Sequence, residues 1–371
     1  MIPLFKVAMS EEAPAAVSEV LASGSIGQGA KVEAFERALA ERIGNPYVVT
    51  VNSATSGLHL ALRLVAGEGP HGDGEVLTTP LTMEATNWAI LANGLGIRWV
   101  DIDPATLNVD LDDLARKISP RTRAIVIVHF GGYPVDLDRL AAILDKAEAM
   151  YGFRPQVIED CAHAWGASYR GTHIGGHGNI SVFSFQAIKH LTSGDGGAVV
   201  LPTEELHARA RLLRWFGIPR TADRLRNPPD VAEWGYKFHM NDINAAIGLS
   251  NLDTAEQALA RNRANAAFYD EELADVPGLE LTERADDRTH SFWIYPMKVD
   301  DRNGFFQRMD EAGIMASNVH ERNDLHSVVR KYAAHLPALD RVAPRVVCVP
   351  AGWWVTDEQR RHIADVIRKG W

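Results

Sequence analysis

The sequence predicts an α/β protein: a large domain with a mostly parallel, seven-stranded sheet between helices, followed by a smaller C-terminal α+β domain. Three observations predict it. Seven short apolar runs rich in β-branched residues punctuate the chain up to about residue 200. Helical patterns lie between them. After about residue 203 the texture changes to long helical stretches and a second mixed segment.

The seven runs are residues 47–51, 75–78, 98–102, 124–128, 156–159, 181–185 and 198–201. Between the first two, residues 55–66 place Leu58, Ala61, Leu62 and Val65 at i, i+3, i+4 and i+7, which is one face of a helix. The turn Gly131-Gly132-Tyr133-Pro134 opens a further helical pattern at 136–149. Long helical patterns follow at 204–215 and 241–273, with Asn227-Pro228-Pro229-Asp230 as a loop between them. The last segment reads as an apolar run at 292–299, a helix at 304–312, a loop-rich stretch at 320–327 and a final helix at 356–369. This divides the chain into a large domain, 1–240, and a helical bridge with a small domain, 241–371. No internal repeat or low-complexity tract is evident.

Composition narrows the function. The chain has 371 residues, of which 46% are hydrophobic and 23% charged, so a sizeable core is expected. The formal net charge of -10 argues against non-specific nucleic-acid binding, which needs a basic surface. Cys161 and Cys348 form no metal-binding or redox spacing, and two reduced thiols in a cytoplasmic protein are the expectation. The first ten residues lack a signal-peptide pattern, and no run of ~18 apolar residues suggests a membrane span.

In open α/β sheets ligands collect beyond the carboxyl ends of the strands. Those positions here are 52–55, 79–82, Asp103, His129, 160–163 and 184–189. Three of them carry chemistry. Phe183-Ser184-Phe185 is followed by Lys189 and then by Gly194-Asp195-Gly196-Gly197; a lysine held partly deprotonated is a Schiff-base former, whereas most lysines are merely solvated. Asp160 ends an apolar strand, where a carboxylate needs a cationic partner or caps the next helix; His163 follows three residues on. Ser53-Ala54-Thr55 opens a helix, where free N–H groups seat a phosphate, although ordinary capping explains the same residues.

In order and spacing these blocks resemble the DegT/StrS family of sugar aminotransferases, which use pyridoxal 5′-phosphate (PLP). The resemblance runs from Gly27-Gln28-Gly29 through Thr79-Pro80-Leu81-Thr82, the Asp160 and Lys189 blocks and Gly235-Tyr236, to Val319-His320 and Val349-Pro350. It implies the PLP fold type I and a homodimer with shared sites. It also implies that Lys189 forms the Schiff base and Asp160 pairs with the pyridinium nitrogen. His163, where the family often has Gln, would touch the ring, and Ala54, Thr55, Ser53 and Ser184 would hold the phosphate. Two departures stand out. Met83 occupies the place of a stacking aromatic, and Lys237 and His239 replace an Asn and an Arg that serve the partner's phosphate and the substrate. The resemblance places acceptor contacts near His320, Arg322 and His326. Trp353-Trp354 reads as core packing or as a sugar platform.

What the resemblance implies is transfer of an amino group from L-glutamate or glutamine to a keto sugar, through pyridoxamine phosphate (PMP). A nucleotide-linked 4-keto-6-deoxyhexose is the leading acceptor; a 3-keto hexose, an inosose-type keto-cyclitol or a keto-octulosonate are alternatives. A dehydratase branch replaces the lysine with histidine, so Lys189 favours transamination. An aromatising branch and a non-catalytic regulator on the same fold remain as further readings. A dinucleotide-binding oxidoreductase would need a third glycine where Val32 stands, and the fourteen histidines show no metal-ligand spacing, so no metal is expected.

Overall fold

The computed structural model describes residues 1–67, 73–220 and 226–371. The strands are β1 (Val48–Val51), β2 (Glu75–Thr78), β3 (Gly96–Trp99), β4 (Thr122–Val128), β5 (Gln156–Asp160), β6 (Ser168–Tyr169), β7 (Thr172–His173), β8 (Ile180–Ser184), β9 (Gly197–Val200), β10 (Leu279–Leu281), β11 (Arg288–Thr289), β12 (Tyr295–Val299) and β13 (Val346–Val349). Seven of them form one sheet in the order β1-β9-β8-β5-β4-β2-β3. β9 runs antiparallel to both its neighbours, and the other pairings are parallel.

Both faces of this sheet are buried, which is why its strands read as continuous apolar runs rather than alternating ones. Neighbouring residues enter different cores. Val76, Val126, Val182 and Val199 join Leu58 and Leu62 of the helix Ala54–Ala66. Leu77, Ile125, Phe183 and Val200 join Phe35 and Leu39 of the helix Ala30–Ile43. A third core holds β12 and β13, the end of the long helix Asp242–Glu272 and the last helix, Asp357–Arg368. The long helix joins two cores: Ala245 and Leu259 pack in the second, Ala266 and Tyr269 in the third. Asn241 caps its start by accepting from the Asn244 N–H.

The antiparallel sheet β10-β12-β13 and a short ribbon, β11-β6-β7, complete the strands. Val329, Leu339 and Val342 of the C-terminal segment pack in the first core, beside Leu60 and Ile97.

Two expected strands move. The run at 98–102 becomes β3, Gly96–Trp99, because Asp101 turns away to accept the N–H groups of Ala338 and Leu339. The run at 292–299 becomes a strand only from Tyr295. The backbone at its start bonds instead to the turn after β4, with the preceding Ser291 N–H donating to Gly132 O and Trp293 N–H to Gly131 O.

Candidate active site

Asp160 is the last residue of β5 and is almost fully buried. No helix follows to be capped. One carboxylate oxygen accepts the Ala162 N–H at 3.0 Å, the other accepts the Thr86 hydroxyl at 2.7 Å. Thr86 in turn lies 2.9 Å from the Thr82 hydroxyl. Burial raises the Asp160 pKa above its ordinary value despite these donors and the nearby Lys189 charge.

Lys189 stands in the turn between β8 and β9, where its N–H bonds to Gln186 O. Its amine opens onto a cavity yet is otherwise surrounded by protein. Loss of hydration lowers its pKa to about 7, with the Asp160 charge acting the other way. Instead of a carboxylate, the amine meets the Trp293 ring, 3.6 Å from its centroid. Trp293 Nε1 donates to Ile188 O at 2.9 Å, and His190 Nε2 lies 2.9 Å from Ser291 O. The lysine turn is therefore fastened on both sides to residues 291–293.

His163 lies flat against Trp293, with ring centroids 3.9 Å apart at 12°. Its Nε2 is 3.4 Å from His320 Nε2, and its Nδ1 is buried without a protein partner. Burial and the Lys189 charge push His163 well below its ordinary pKa and His320 down to about 3, so both imidazoles are neutral at pH 7.

At the end of β1, Ser53 caps the helix Ala54–Ala66 by accepting the Ser56 N–H. The first turn of a helix presents N–H groups with no intrahelical acceptor. Gly197 allows this turn to sit against β9: a Cβ there would lie 2.7 Å from the Ala54 nitrogen.

Asp160, Thr86, Lys189, Trp293, His163, His320 and the Ser53 turn line one cavity of about 400 Å³. Of the residues singled out in sequence, Ser53, Ala54, Thr55 and Met83 line it on one side. Asp160, His163, Ser184, Lys189 and His320 line the rest. Four do not line it. Arg322 is held by Asp324 and Asp340, at 2.6 Å each. His326 sits 3.4 Å from Glu84 and edge-on to Trp88. Lys237 is exposed and bridges to Trp215, and His239 lies edge-on to the same ring. Trp353 and Trp354 also lie elsewhere; Trp354 Nε1 donates to Pro3 O. Conversely, Phe5, Thr86 and Trp293 line the cavity without having been singled out. The sequence carried a signal only for Thr86, which lies one helical turn after Thr82.

Two other groupings hold internal partners. His129, Glu159 and Cys161 could present metal-ligand atoms within 4.8 Å of one another. His129 Nε2 instead meets Glu159 at 2.8 Å, Asn179 donates to the same carboxylate at 2.7 Å, and the Val135 N–H donates to His129 Nδ1. In a cleft of about 420 Å³, Arg288 pairs with Asp287 and Asp136, and Asp136 also accepts the Tyr169 hydroxyl.

A family model described as the DegT/DnrJ/EryC1/StrS aminotransferase family matches residues 7–368. The chain belongs to this family. Among solved structures, AtS13 from Actinomadura melliaura is 63% identical, with 100% of this chain and 99% of that one covered and a TM-score of 0.98. The sugar aminotransferase CalS13 from Micromonospora echinospora is 59% identical, with 100% of each chain covered and a TM-score of 0.98. Spr1654 from Streptococcus pneumoniae has been solved in a PLP form, 26% identical, with 99% of this chain and 98% of that one covered and a TM-score of 0.90. This aminotransferase is therefore an enzyme of fold type I that acts on a small-molecule sugar and an amino donor. Among the described residues no helix is long and apolar enough to cross a membrane.

The cavity suits the family's cofactor. It holds an amine free of carboxylate partners, a buried carboxylate suited to a cationic ring nitrogen, an orphaned imidazole nitrogen and a helix N-terminus.

Proposed function

We propose that this aminotransferase carries an amino group from L-glutamate to the keto carbon of a nucleotide-linked 4-keto-6-deoxyhexose, with PLP as its cofactor. The observation that supports it most is the Lys189 amine, brought to about 7 and sharing one cavity with Asp160 and His163. When bound, the cofactor supplies an electron sink for the carbon that loses or gains the amino group.

The chain's residues supply the rest. Asp160 holds the proton of the pyridine nitrogen, and Thr86 and the Ala162 N–H keep its carboxylate aimed. The first-turn N–H groups of Ala54 and Thr55, with the Ser53 and Ser184 hydroxyls, hold the phosphate. His163, flat against Trp293, offers a neutral face for the ring, and Met83 covers the other side at the mouth. The Lys189 amine would take the proton from the donor's α-carbon and, in the acceptor half, deliver a proton to the sugar carbon that receives the amino group. A base with a pKa near 7 is suited to both tasks at neutral pH. Lys237 and His239 lie outside their own cavity and serve that of a second copy in a cytoplasmic homodimer.

The test is stepwise. With L-glutamate alone, the purified protein should lose its visible absorbance and release 2-oxoglutarate in proportion to subunits. A nucleotide-linked 4-keto-6-deoxyhexose should restore the absorbance and appear as the amino sugar. Absence of the first change refutes the cofactor reading; a working first step with no nucleotide keto sugar aminated refutes the acceptor.

A further inference from the structure

We infer that Phe5, brought by the N-terminal segment against Trp293, forms an aromatic platform for the pyranose ring of the acceptor and so helps decide which sugar is aminated. The inference rests on the proposed sugar acceptor and deepens it.

The cavity has two unlike sides. Strand ends supply the hydroxyls, the helix N-terminus and Asp160. The far side is supplied by Phe5, Trp293 and Val319, with the neutral His320. Phe5 stacks on Trp293 with centroids 5.0 Å apart at 25°. It is half-buried and lines the cavity, whereas Trp293 is buried behind it.

Phe5 is not a fraying terminus. Ile2 N–H bonds to Gly313 O and Ile2 O accepts the Met315 N–H. Trp354 fixes Pro3 O, Leu4 is buried, and the Ser10 N–H bonds to Asn251 at 2.7 Å. Only seven residues separate the fastened Ile2 from the fastened Ser10, so the Phe5 ring is presented rather than loose.

The chemistry separates the two substrates. Among the residues lining the cavity Lys189 is the one cation, and it is needed for proton transfer. A dicarboxylate donor gains nothing from an aromatic side, since a carboxylate laid there loses water without a partner. A pyranose ring presents a face of C–H bonds that an aromatic ring covers well, while its hydroxyls stay at the edge. A 6-deoxy sugar adds a methyl group to that apolar surface. Phe5 should therefore act on the second half-reaction and leave the first nearly alone.

The experiment uses the full-length holoenzyme and two probes, UDP- and dTDP-linked 4-keto-6-deoxyglucose. Phe5→Ala should raise the acceptor KM about 10-fold, the scale of one aromatic contact, while the glutamate half-reaction changes by less than about 2-fold. Phe5→Tyr should restore the acceptor KM and Phe5→Ser should not. Saturation-transfer NMR on the cofactor-free protein gives a reading independent of turnover: the pyranose C–H protons should receive saturation in the wild type and lose it in Phe5→Ala. Equal slowing of both half-reactions, or unchanged acceptor KM and pyranose saturation, overturns the platform. The pyranose saturation does not depend on whether the wild type performs the glutamate step, whose failure refutes the cofactor reading instead.

Discussion

Glu159 and Asp160 are neighbours on β5, both buried, and they meet opposite fates. Glu159 is fully answered: His129 and Asn179 occupy its oxygens, and the Val135 N–H fixes the His129 ring. Burial alone would raise its pKa, but His129 and Asn179 bring it below the ordinary value. Asp160 keeps a raised pKa, and its nearest cation, Lys189, rests on an aromatic ring rather than on the carboxylate. A buried charge given a paired partner holds a structure together, while one hydrogen-bonded but without a counter-ion is held ready for a ligand. The alternation of a strand, which sends consecutive side chains to opposite faces, separates the two roles by one residue.

Three substitutions test this contrast. Lys189→Met has the largest expected effect. It should abolish amino transfer while making the cofactor-free protein more stable. The folded pKa lies near 7 against 10.5 in the unfolded chain, so the folded amine binds its proton more weakly. At about 1.4 kcal/mol per unit, the penalty removed at pH 7 is up to about 4 kcal/mol. Thermal melts should show the variant's advantage shrinking as pH rises toward 10.5, and an advantage that did not change with pH would break the contrast.

Glu159→Leu should act in the opposite sense, costing about 3 kcal/mol by leaving His129 and Asn179 without their partner. Urea titration measures it. The wild-type contribution is present above about pH 4.5 and is lost as pH falls through the lower folded value, so the variant should show a weaker acid dependence.

Thr86→Val should have the smallest effect. Loss of the 2.7 Å hydrogen bond to a carboxylate costs about 1.5 kcal/mol, or roughly 10-fold in the rate of the glutamate half-reaction. Because that bond holds the Asp160 pKa down, its loss should move the acid limb of the rate profile to higher pH. An unshifted limb would mean that Thr86 merely fills space.

Much of the central sheet was legible because its strands are buried on both faces and bounded by turns. The runs at 75–78, 124–128 and 156–159 differ from β2, β4 and β5 by two residues at most. Missed elements include the helices Ala13–Ser23, Ala30–Ile43, Glu84–Ala92 and Leu111–Lys117 and the strand β13, whose short apolar run lies beside prolines. In the site, residues just past strand ends were found together, because topology alone gathers them. Asp103 and His129 met the same rule and lie outside the cavity, His129 because Glu159 claims it. Phe5 and Trp293 reach the cavity through contacts nearly three hundred residues apart, which no local pattern records. Arg322 lies off the cavity, its guanidinium held by Asp324 two residues on, a competitor the sequence showed.

The bond from Trp293 to Ile188 ties the residue beneath the lysine to the turn that carries it. An alteration at Trp293 that enlarged the room for a sugar would also unsettle the basicity and aim of the amine. Phe5 carries no such tie to the lysine turn among the bonds described. Substrate range in this scaffold is therefore free to drift through the N-terminus at little cost in rate, while position 293 is constrained twice over. In a directed-evolution library built on this chain, accepted changes that broaden the sugar should gather at residue 5 and avoid 293.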